Sequence, residues 1–199
     1  MKHIAIISSS IREKRNSHRV ALYFKKFITE NKLATVEILD LKEYQFPLFT
    51  NTLRLQPNAL PQATEFAEKI KAASGVLIIA PEYNGGYPSS LKNAIDLLYD
   101  EWHHKPIGIC SVSTSPFGGM QMITSLQFVL WKIKAWIVPA MFPVALVNKT
   151  FDEKGNASNA EEIDKLAKVF INELQWYMEA NRRMIEDEYV KNEMPIPSV

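Results

Sequence analysis

Residues 76–96 read VLIIAPEYNGGYPSSLKNAID, and the order of their side chains predicts three consecutive elements. The apolar run 76–80 has the length of a buried strand. Two glycines and two prolines interrupt the residues that follow, which therefore form a loop. Apolar residues three and four positions apart come next at Leu91, Ala94 and Ile95, which is the period of a helix. The stretch therefore predicts a strand, a loop and a helix.

The same succession recurs along the chain. Further short segments rich in Val, Ile and Leu are separated by longer stretches of helical period, which is typical of βαβ units. We therefore expect an α/β fold with a doubly wound five-stranded parallel sheet in the order 2-1-3-4-5 and helices on both faces. The predicted strands are Ile4 to Ser8, Val36 to Leu41, Val76 to Ala80, Ile107 to Val112, and a stretch within Ile137 to Val147. The last of five predicted helices has an apolar face formed by Ile163, Leu166, Ala167, Phe170, Ile171, Leu174, Tyr177 and Met178.

Length and composition favour one domain. The chain has 199 residues, of which 47% are hydrophobic, and this is enough for one core but short for two. We expect the domain to cover residues 1–184. Residues 185–199 are charged and then rich in proline, so we expect a tail that is disordered or contacts a neighbouring subunit.

The charge and cysteine content indicate which binding partners and which cellular location to expect. Lys and Arg total 23 against 22 Asp and Glu, so nothing indicates binding to nucleic acid or to an anionic membrane. The apolar run at the amino terminus is too short to span a bilayer. Cys110 is the only cysteine and lies within a predicted strand, which favours a buried, inert thiol and a cytoplasmic location.

The predicted strand order places three loops at one edge of the sheet, where ligands bind in folds of this kind. Loop one, residues 8–18, contains serines and arginines at the start of a helix, which are suitable groups for binding a phosphate. The alternative is that the serines cap the helix and the arginines are solvated. Loop one has no glycine, and this argues against a dinucleotide bound in the Rossmann manner. A terminal monophosphate, and hence FMN rather than FAD, fits loop one better.

Loop two, residues 81–90, combines prolines, adjacent glycines, Tyr83 and Asn84. These residues favour the binding of a planar heterocycle, although a plain connection between strand and helix remains an alternative. Loop three, residues 113–119, ends in Gly118 and Gly119.

The run PEYNGGYPSSLKNAID closely resembles the signature of the NADPH-dependent FMN reductase family, which includes flavodoxin-like quinone and azo-dye reductases. The segments LYDEWH and KP at 98–106 are similar to the branch that contains the yeast-type quinone reductase. Loop one resembles the pattern GSxRxxR of that branch, with Ser9 in place of the glycine. Loop three matches the family at its final glycine pair and departs from it at Ser115 and Pro116.

The resemblance implies a set of cofactor contacts. Loop one would surround the FMN phosphate, loop two would follow the isoalloxazine ring and the ribityl chain, and loop three would approach the ring. The implied cofactor-binding residues are Ser10, Arg12, Arg15, Asn16, Ser17, Pro81, Glu82, Tyr83, Asn84, Gly85, Ser113 and Gly118. It also implies a homodimer or homotetramer with the helix from about Leu91 to Tyr99 in the contact, and we expect Trp102 to be an interface aromatic.

The expected function is an FMN-dependent NAD(P)H oxidoreductase. NADPH or NADH would reduce FMN, and a quinone, azo compound, metal oxyanion or free flavin would then take the electrons, with no catalytic side chain required. The alternatives are a flavodoxin-like electron carrier, although such carriers tend to be strongly acidic, and a non-catalytic flavin-binding regulatory module. We expect no metal site, because His103 and His104 are adjacent and point in different directions. Hydrolase chemistry is disfavoured because the sequence has no GxSxG elbow.

Overall fold

The computed structural model describes residues 2–186. Five parallel strands form one sheet in the order β2-β1-β3-β4-β5, which confirms the predicted doubly wound topology. Their bounds agree with the sequence prediction to within a residue or so, except at the end of the last strand. The strands are β1 His3–Ser8, β2 Thr35–Asp40, β3 Gly75–Pro81, β4 Pro106–Val112 and β5 Trp136–Met141.

Helices cover both faces of the sheet, and the five long ones are the five that the sequence predicts. Two further helices of four residues each, at Leu41–Tyr44 and Val147–Thr150, have no counterpart in the sequence prediction, and short 3₁₀ turns lie at Leu53–Leu55 and Asp100–Trp102. The helices are α1 Ser17–Glu30, α2 Leu41–Tyr44, α3 Pro61–Ala72, α4 Ser89–Leu97, α5 Met120–Lys132, α6 Val147–Thr150 and α7 Ala160–Glu186.

The alternation of side chains along β3 divides the core into two layers. Ile78 points into the layer under α3, α4 and α5, whereas the neighbouring Leu77 and Ile79 point into the layer under α1 and α7. Since successive strand residues face opposite sides, a strand buried on both faces must be apolar throughout, as β3 is. The two layers fix the strands, and with them the loops at the carboxyl edge of the sheet.

Two expectations about apolar side chains are wrong. Trp102 is fully buried inside its own chain, where its indole N–H donates to the Ile95 carbonyl at 3.1 Å, so it is not available as an interface aromatic. Leu166 is 58% exposed, so it does not belong to the buried stripe of α7, which consists of Ala167, Phe170, Ile171, Leu174 and Met178.

The predicted tail is described only at its start. Residues 185 and 186 belong to α7, so the helix continues past the expected boundary, and residues 187–199 lie outside the described part of the chain. No helix among residues 2–186 is long and apolar enough to cross a membrane.

Candidate functional site

A cavity of about 300 Å³ opens at the carboxyl edge of the sheet, where the three predicted loops meet. Most of the predicted cofactor residues line it, whereas Asn84, Gly85 and Gly118 do not. The predicted residues in its wall are Ser10, Arg12, Arg15, Asn16, Ser17, Pro81, Glu82, Tyr83 and Ser113. The prediction missed Glu13, Lys14, Val112, Thr114 and Val147.

The amino terminus of α1 presents unsatisfied donors to this cavity. The Asn16 carbonyl accepts from the Arg19 N–H at 3.1 Å, but the Asn16 side chain makes no capping hydrogen bond, so the N–H groups of Ser17 and His18 receive no side-chain cap from it. The Ser17 hydroxyl is also unusual, because the residue is only 3% exposed and its Oγ has no hydrogen-bond partner among the described residues. Buried hydroxyls are normally paired, so the Ser17 hydroxyl is free to donate to an acceptor bound in the cavity.

Loops one and two are joined across the cavity by Tyr83. Its hydroxyl lies 2.7 Å from Ser10 Oγ, and the Arg12 guanidinium carbon lies 5.6 Å from the centre of its ring. Arg12 has no carboxylate within ion-pair distance in residues 2–186. Its charge is therefore held near the cavity by an aromatic face and remains available to an anion.

Arg15 also lines the cavity, but its guanidinium is already engaged. It pairs with both oxygens of Asp40, with Nη1 at 2.7 Å from Oδ1, and donates to the Ser10 carbonyl at 2.9 Å. Only 12% of each charged side chain is exposed. Arg15 thus ties loop one to the end of β2, so its predicted phosphate contact would have to share the guanidinium with Asp40.

His18 does not form a hydrolase triad with Ser10. Its Nδ1 lies 3.0 Å from the hydroxyl of Ser8, which is fully buried, and 3.5 Å from Asp40 Oδ2. One ring nitrogen therefore faces both groups, whereas a triad requires the two nitrogens to face different partners. Burial lowers the pKa of His18, against the opposing effect of Asp40.

Loop two makes a tight turn at Asn84 and Gly85. Tyr83 and Gly86 exchange backbone hydrogen bonds of 2.8 and 3.0 Å, and φ is 52° at Asn84 and 79° at Gly85. Positive φ at both central residues is what a type I′ turn requires, and Asn-Gly is its favoured sequence. Asn84 and Gly85 therefore shape the tip of the loop and lie outside the cavity.

The Glu82 side chain fixes loop two to α5. Its Oε2 accepts hydrogen bonds from the backbone N–H groups of Gln121 at 3.0 Å and Met122 at 3.3 Å. Gly119, which immediately precedes α5, has no side chain with which to cap the helix. Glu82 therefore supplies the carboxylate that a helix amino terminus favours. In this arrangement the carboxylate of Glu82 is occupied, and contact with a ligand would come from its backbone.

Loop three is held by its own hydrogen bonds at the positions where it departs from the family pattern. Ser113 Oγ lies 2.9 Å from Ser115 Oγ and accepts from the Ser115 N–H at 3.0 Å. Gly118 accepts from the buried Ser111 hydroxyl at 2.7 Å through its carbonyl, and Phe117 is 80% exposed outside the cavity. Ser113 therefore reaches the cavity wall, while Gly118 supports the turn behind it.

Residues 1–149 match the model of a family described as NADPH-dependent FMN reductase. The chain belongs to this family. The NAD(P)H-dependent FMN reductase LOT6 of Saccharomyces cerevisiae is 32% identical over 148 residues, which are 68% of this chain and 76% of that protein. A quinone reductase of Pseudomonas putida is 32% identical over 123 residues, 58% of this chain and 62% of that protein.

The solved structure of FerB, a flavoenzyme NAD(P)H:(acceptor) oxidoreductase from Paracoccus denitrificans, has the same fold. It superposes with a TM-score of 0.73 at 21% identity, covering 90% of this chain and 98% of FerB. The family resemblance seen in loops one and two is thus confirmed, together with the flavodoxin-like topology. The family match ends within α6, so α7 lies outside it.

Other titratable groups suggest no second reaction centre. Cys110 is buried, and burial raises the pKa of its thiol, in agreement with the predicted inert role. His103 is buried with neither ring nitrogen hydrogen-bonded, and burial lowers its pKa. Within residues 2–186, no group of three His, Cys, Asp or Glu side chains is arranged to hold a metal ion.

Proposed function

We propose that this protein is an FMN-dependent NAD(P)H oxidoreductase that passes electrons to a small-molecule acceptor. The observation that carries the proposal is the buried Ser17 hydroxyl at the amino terminus of α1, which has no partner among residues 2–186 and lies in the wall of a cavity bounded by all three loops. A terminal phosphate supplies the acceptor oxygens that this hydroxyl and the helix N–H groups lack. Membership of the NADPH-dependent FMN reductase family supports the same cofactor.

The residues present fit FMN at both of its ends. Ser17, Asn16 and the free charge of Arg12 would hold the phosphate, and Ser10 lies within reach beside the Tyr83 hydroxyl. Pro81, Glu82 and Tyr83 would present the backbone and aromatic surface on which a flat ring rests, with the turn at 84–85 fixing the end of the platform.

Bound FMN would accept a hydride from the nicotinamide cofactor and release electrons to the acceptor. The side chains need only bind, orient and exclude water. Glu82 orients the platform through its hydrogen bonds to α5, and Arg15 and Asp40 hold loop one in the conformation that presents Ser17. No side chain in the cavity is required as an acid or a base.

We propose a quinone as the acceptor, because the Pseudomonas putida relative is named a quinone reductase. Azo compounds, metal oxyanions and free flavin are the other expected acceptors. A flavodoxin-like carrier or a regulatory flavin-binding module would use the same cavity without turnover with a small molecule.

The assembly and location are also proposals. Phe128 and Trp131 are 63% and 64% exposed on α5, with ring centroids 5.8 Å apart, and they offer an apolar surface for a second copy. A homodimer or homotetramer would be measured by light scattering. We propose a cytoplasmic location because a chain with one cysteine can form no intramolecular disulfide, which is typical of proteins in a reducing compartment. Microscopy of a tagged chain would test it.

The decisive experiment tests the cofactor, the electron donor and the electron acceptor on one sample. The purified protein is reconstituted with FMN, its absorbance spectrum is recorded, and it is titrated anaerobically with NADPH before a quinone is added. We expect flavin absorbance, bleaching by NADPH and steady NADPH oxidation once the quinone is present. A protein that remains colourless would refute the proposal, and one that is bleached without turnover would be a carrier or a regulatory module.

A further inference from the structure

The long helix α7 carries a second apolar stripe that faces away from the core. Leu166, Val169 and Trp176 are 58%, 67% and 64% exposed, and the partly buried Glu173 lies among them. These four residues, which we call the outer stripe, are spaced like the a and d positions of a coiled coil. At about 100° per residue their side chains fall within about 80° of one another. Single exposed apolar side chains are ordinary, whereas a continuous stripe indicates a contact surface.

The outer stripe lies along an open edge of the molecule. α7 packs on β4 and β5, and it meets α1 on the other side of the helix, where Asp164 accepts from the Tyr23 hydroxyl at 2.7 Å. The outer stripe therefore points past β5, which is the last strand of the sheet. No element within residues 2–186 covers it there, as the exposure of its apolar side chains shows.

The charges at the two ends of α7 suit an antiparallel second copy of this chain. The first turn of the helix carries Glu161 and Glu162. Arg182 and Arg183 lie near its other end. Antiparallel packing places the acidic end of one helix beside the basic end of the other, whereas parallel packing places like charges together. Charge complementarity therefore favours a second copy of α7 in the antiparallel orientation.

A single two-fold axis satisfies both the charges and the apolar side chains. The outer stripe is centred on residue 171, and Glu162 and Arg183 are centred between residues 172 and 173, a difference of about 3 Å or less along the helix. Rotation about this point brings Leu166 of each copy beside Trp176 of the other, which is the isologous contact of a symmetric dimer. Glu162 has no cation within 4.0 Å among residues 2–186, so it can pair with an arginine of the second copy without losing an ion pair.

We propose that the outer stripe binds a second copy of this chain through an antiparallel pair of α7 helices. This contact goes beyond the proposed flavin chemistry and does not depend on it, and α7 lies outside the segment that matches the family. The surface on α5 at Phe128 and Trp131 belongs to the opposite face of the sheet, so both contacts can form together. The α7 contact alone gives a dimer, and the two contacts together give a tetramer with three two-fold axes.

Glu173 limits the strength of this contact. In the antiparallel pair the two Glu173 carboxylates lie close to the two-fold axis, where like charges repel each other. Glu173→Gln should therefore tighten the association about threefold or more. A surface that only faces solvent would show no such gain.

Sedimentation velocity of the full-length protein, with and without FMN, measures the contact. Trp176→Ser should weaken association about 30-fold or more, because tryptophan is prominent among the residues that dominate interface energies. It should halve the particle mass both in the wild type and in the Phe128→Ser/Trp131→Ser variant, which lacks the α5 surface. The matched control is Leu55→Ser, which removes an apolar side chain that is 61% exposed in a 3₁₀ turn away from α7 and should change nothing.

Charge reversal tests the antiparallel orientation. Arg182→Glu/Arg183→Glu makes both ends of α7 acidic, and Glu161→Lys/Glu162→Lys makes both ends basic. Each of these variants should associate roughly tenfold more weakly than the wild type, because like charges then meet at both ends of the pair. The variant with all four substitutions should recover wild-type association, since opposite charges again face each other in the antiparallel pair.

Four results would overturn the proposal. They are a wild type that sediments as a monomer, a Phe128→Ser/Trp131→Ser variant that is already monomeric, a Trp176→Ser variant of unchanged mass, and a fourfold charge variant that associates no better than either half. Circular dichroism and Tm establish that each variant is folded. Val169→Ser provides a second test on the same stripe, and it should weaken association in the same direction as Trp176→Ser.

Discussion

Replacing Ser17 with alanine should stabilise the ligand-free protein and weaken FMN binding. The hydroxyl is buried and unpaired, and leaving such a group unsatisfied costs about 1–3 kcal/mol. Ser17→Ala removes that cost and opens only a small space, so we expect a gain of about 1 kcal/mol in the free energy of unfolding. For a chain of this size, that gain raises Tm by about 2–4 °C.

FMN should reverse the order of the two proteins. A hydrogen bond to a charged phosphate contributes about 1.5–3 kcal/mol, so the Kd for FMN should rise by roughly 10- to 100-fold in the variant. At an FMN concentration of about 100 times the wild-type Kd, the wild type gains about 2.7 kcal/mol. A variant that binds FMN about 30-fold more weakly gains only about 0.9 kcal/mol, so it is no longer more stable than the wild type when FMN is present.

Thermal unfolding with and without FMN measures both effects in one assay, with fluorescence titration giving Kd. The matched control is Ser158→Ala, which removes an exposed hydroxyl that does not line the cavity and should leave both Tm and the Kd for FMN unchanged. A variant that is less stable without FMN, yet binds FMN as the wild type does, would refute the assignment of Ser17 as a phosphate ligand. Such a result would mean that the hydroxyl has a structural partner.

Three other perturbations test the supports of the fold and the site. Glu82→Ala should cost about 1 kcal/mol by uncapping α5, and it should weaken FMN binding more than Glu82→Gln, which titration would show. Gly155→Ala should lower Tm sharply, since φ is 77° and the new Cβ would lie 2.6 Å from the Tyr23 backbone nitrogen. Burial lowers the pKa of Lys105 to about 8. The unfolded chain therefore binds more protons between that pH and about 10.5, and urea titrations should show stability rising with pH there in the wild type but less so in Lys105→Met.

The parallel sheet could be predicted because its signal is local. The central strands β3 and β4 are apolar along nearly their whole length, and only strands covered on both faces have that composition. Each is followed by loop residues and then by a helical stripe, so the alternation predicts the topology. The three loops then coincide at one edge, which is why most of the predicted cofactor residues line the same cavity.

Pairings between distant side chains carry no such signal. Arg15 meets Asp40 at the end of β2, and Glu82 meets the start of α5, yet nothing in the neighbouring residues identifies these partners. Trp102 was misjudged for a related reason. Its segment lacks helical or strand periodicity, and the Ile95 carbonyl can accept its indole N–H because α4 ends at Leu97, which leaves that carbonyl without an i+4 N–H donor.

The division of hydrogen bonds among the loops indicates how the ligand would be recognised. Glu82 of loop two is engaged with α5 and Ser113 of loop three with Ser115, whereas the Ser17 hydroxyl of loop one has no partner within residues 2–186. Side chains and the helix terminus would thus recognise the phosphate, while backbone groups would recognise the ring. Substitutions in loop one should therefore change affinity directly, and substitutions at Glu82 or Ser113 should act by moving the backbone. The flavin spectrum should change when Glu82 or Ser113 is substituted. It should remain nearly constant when loop one is substituted.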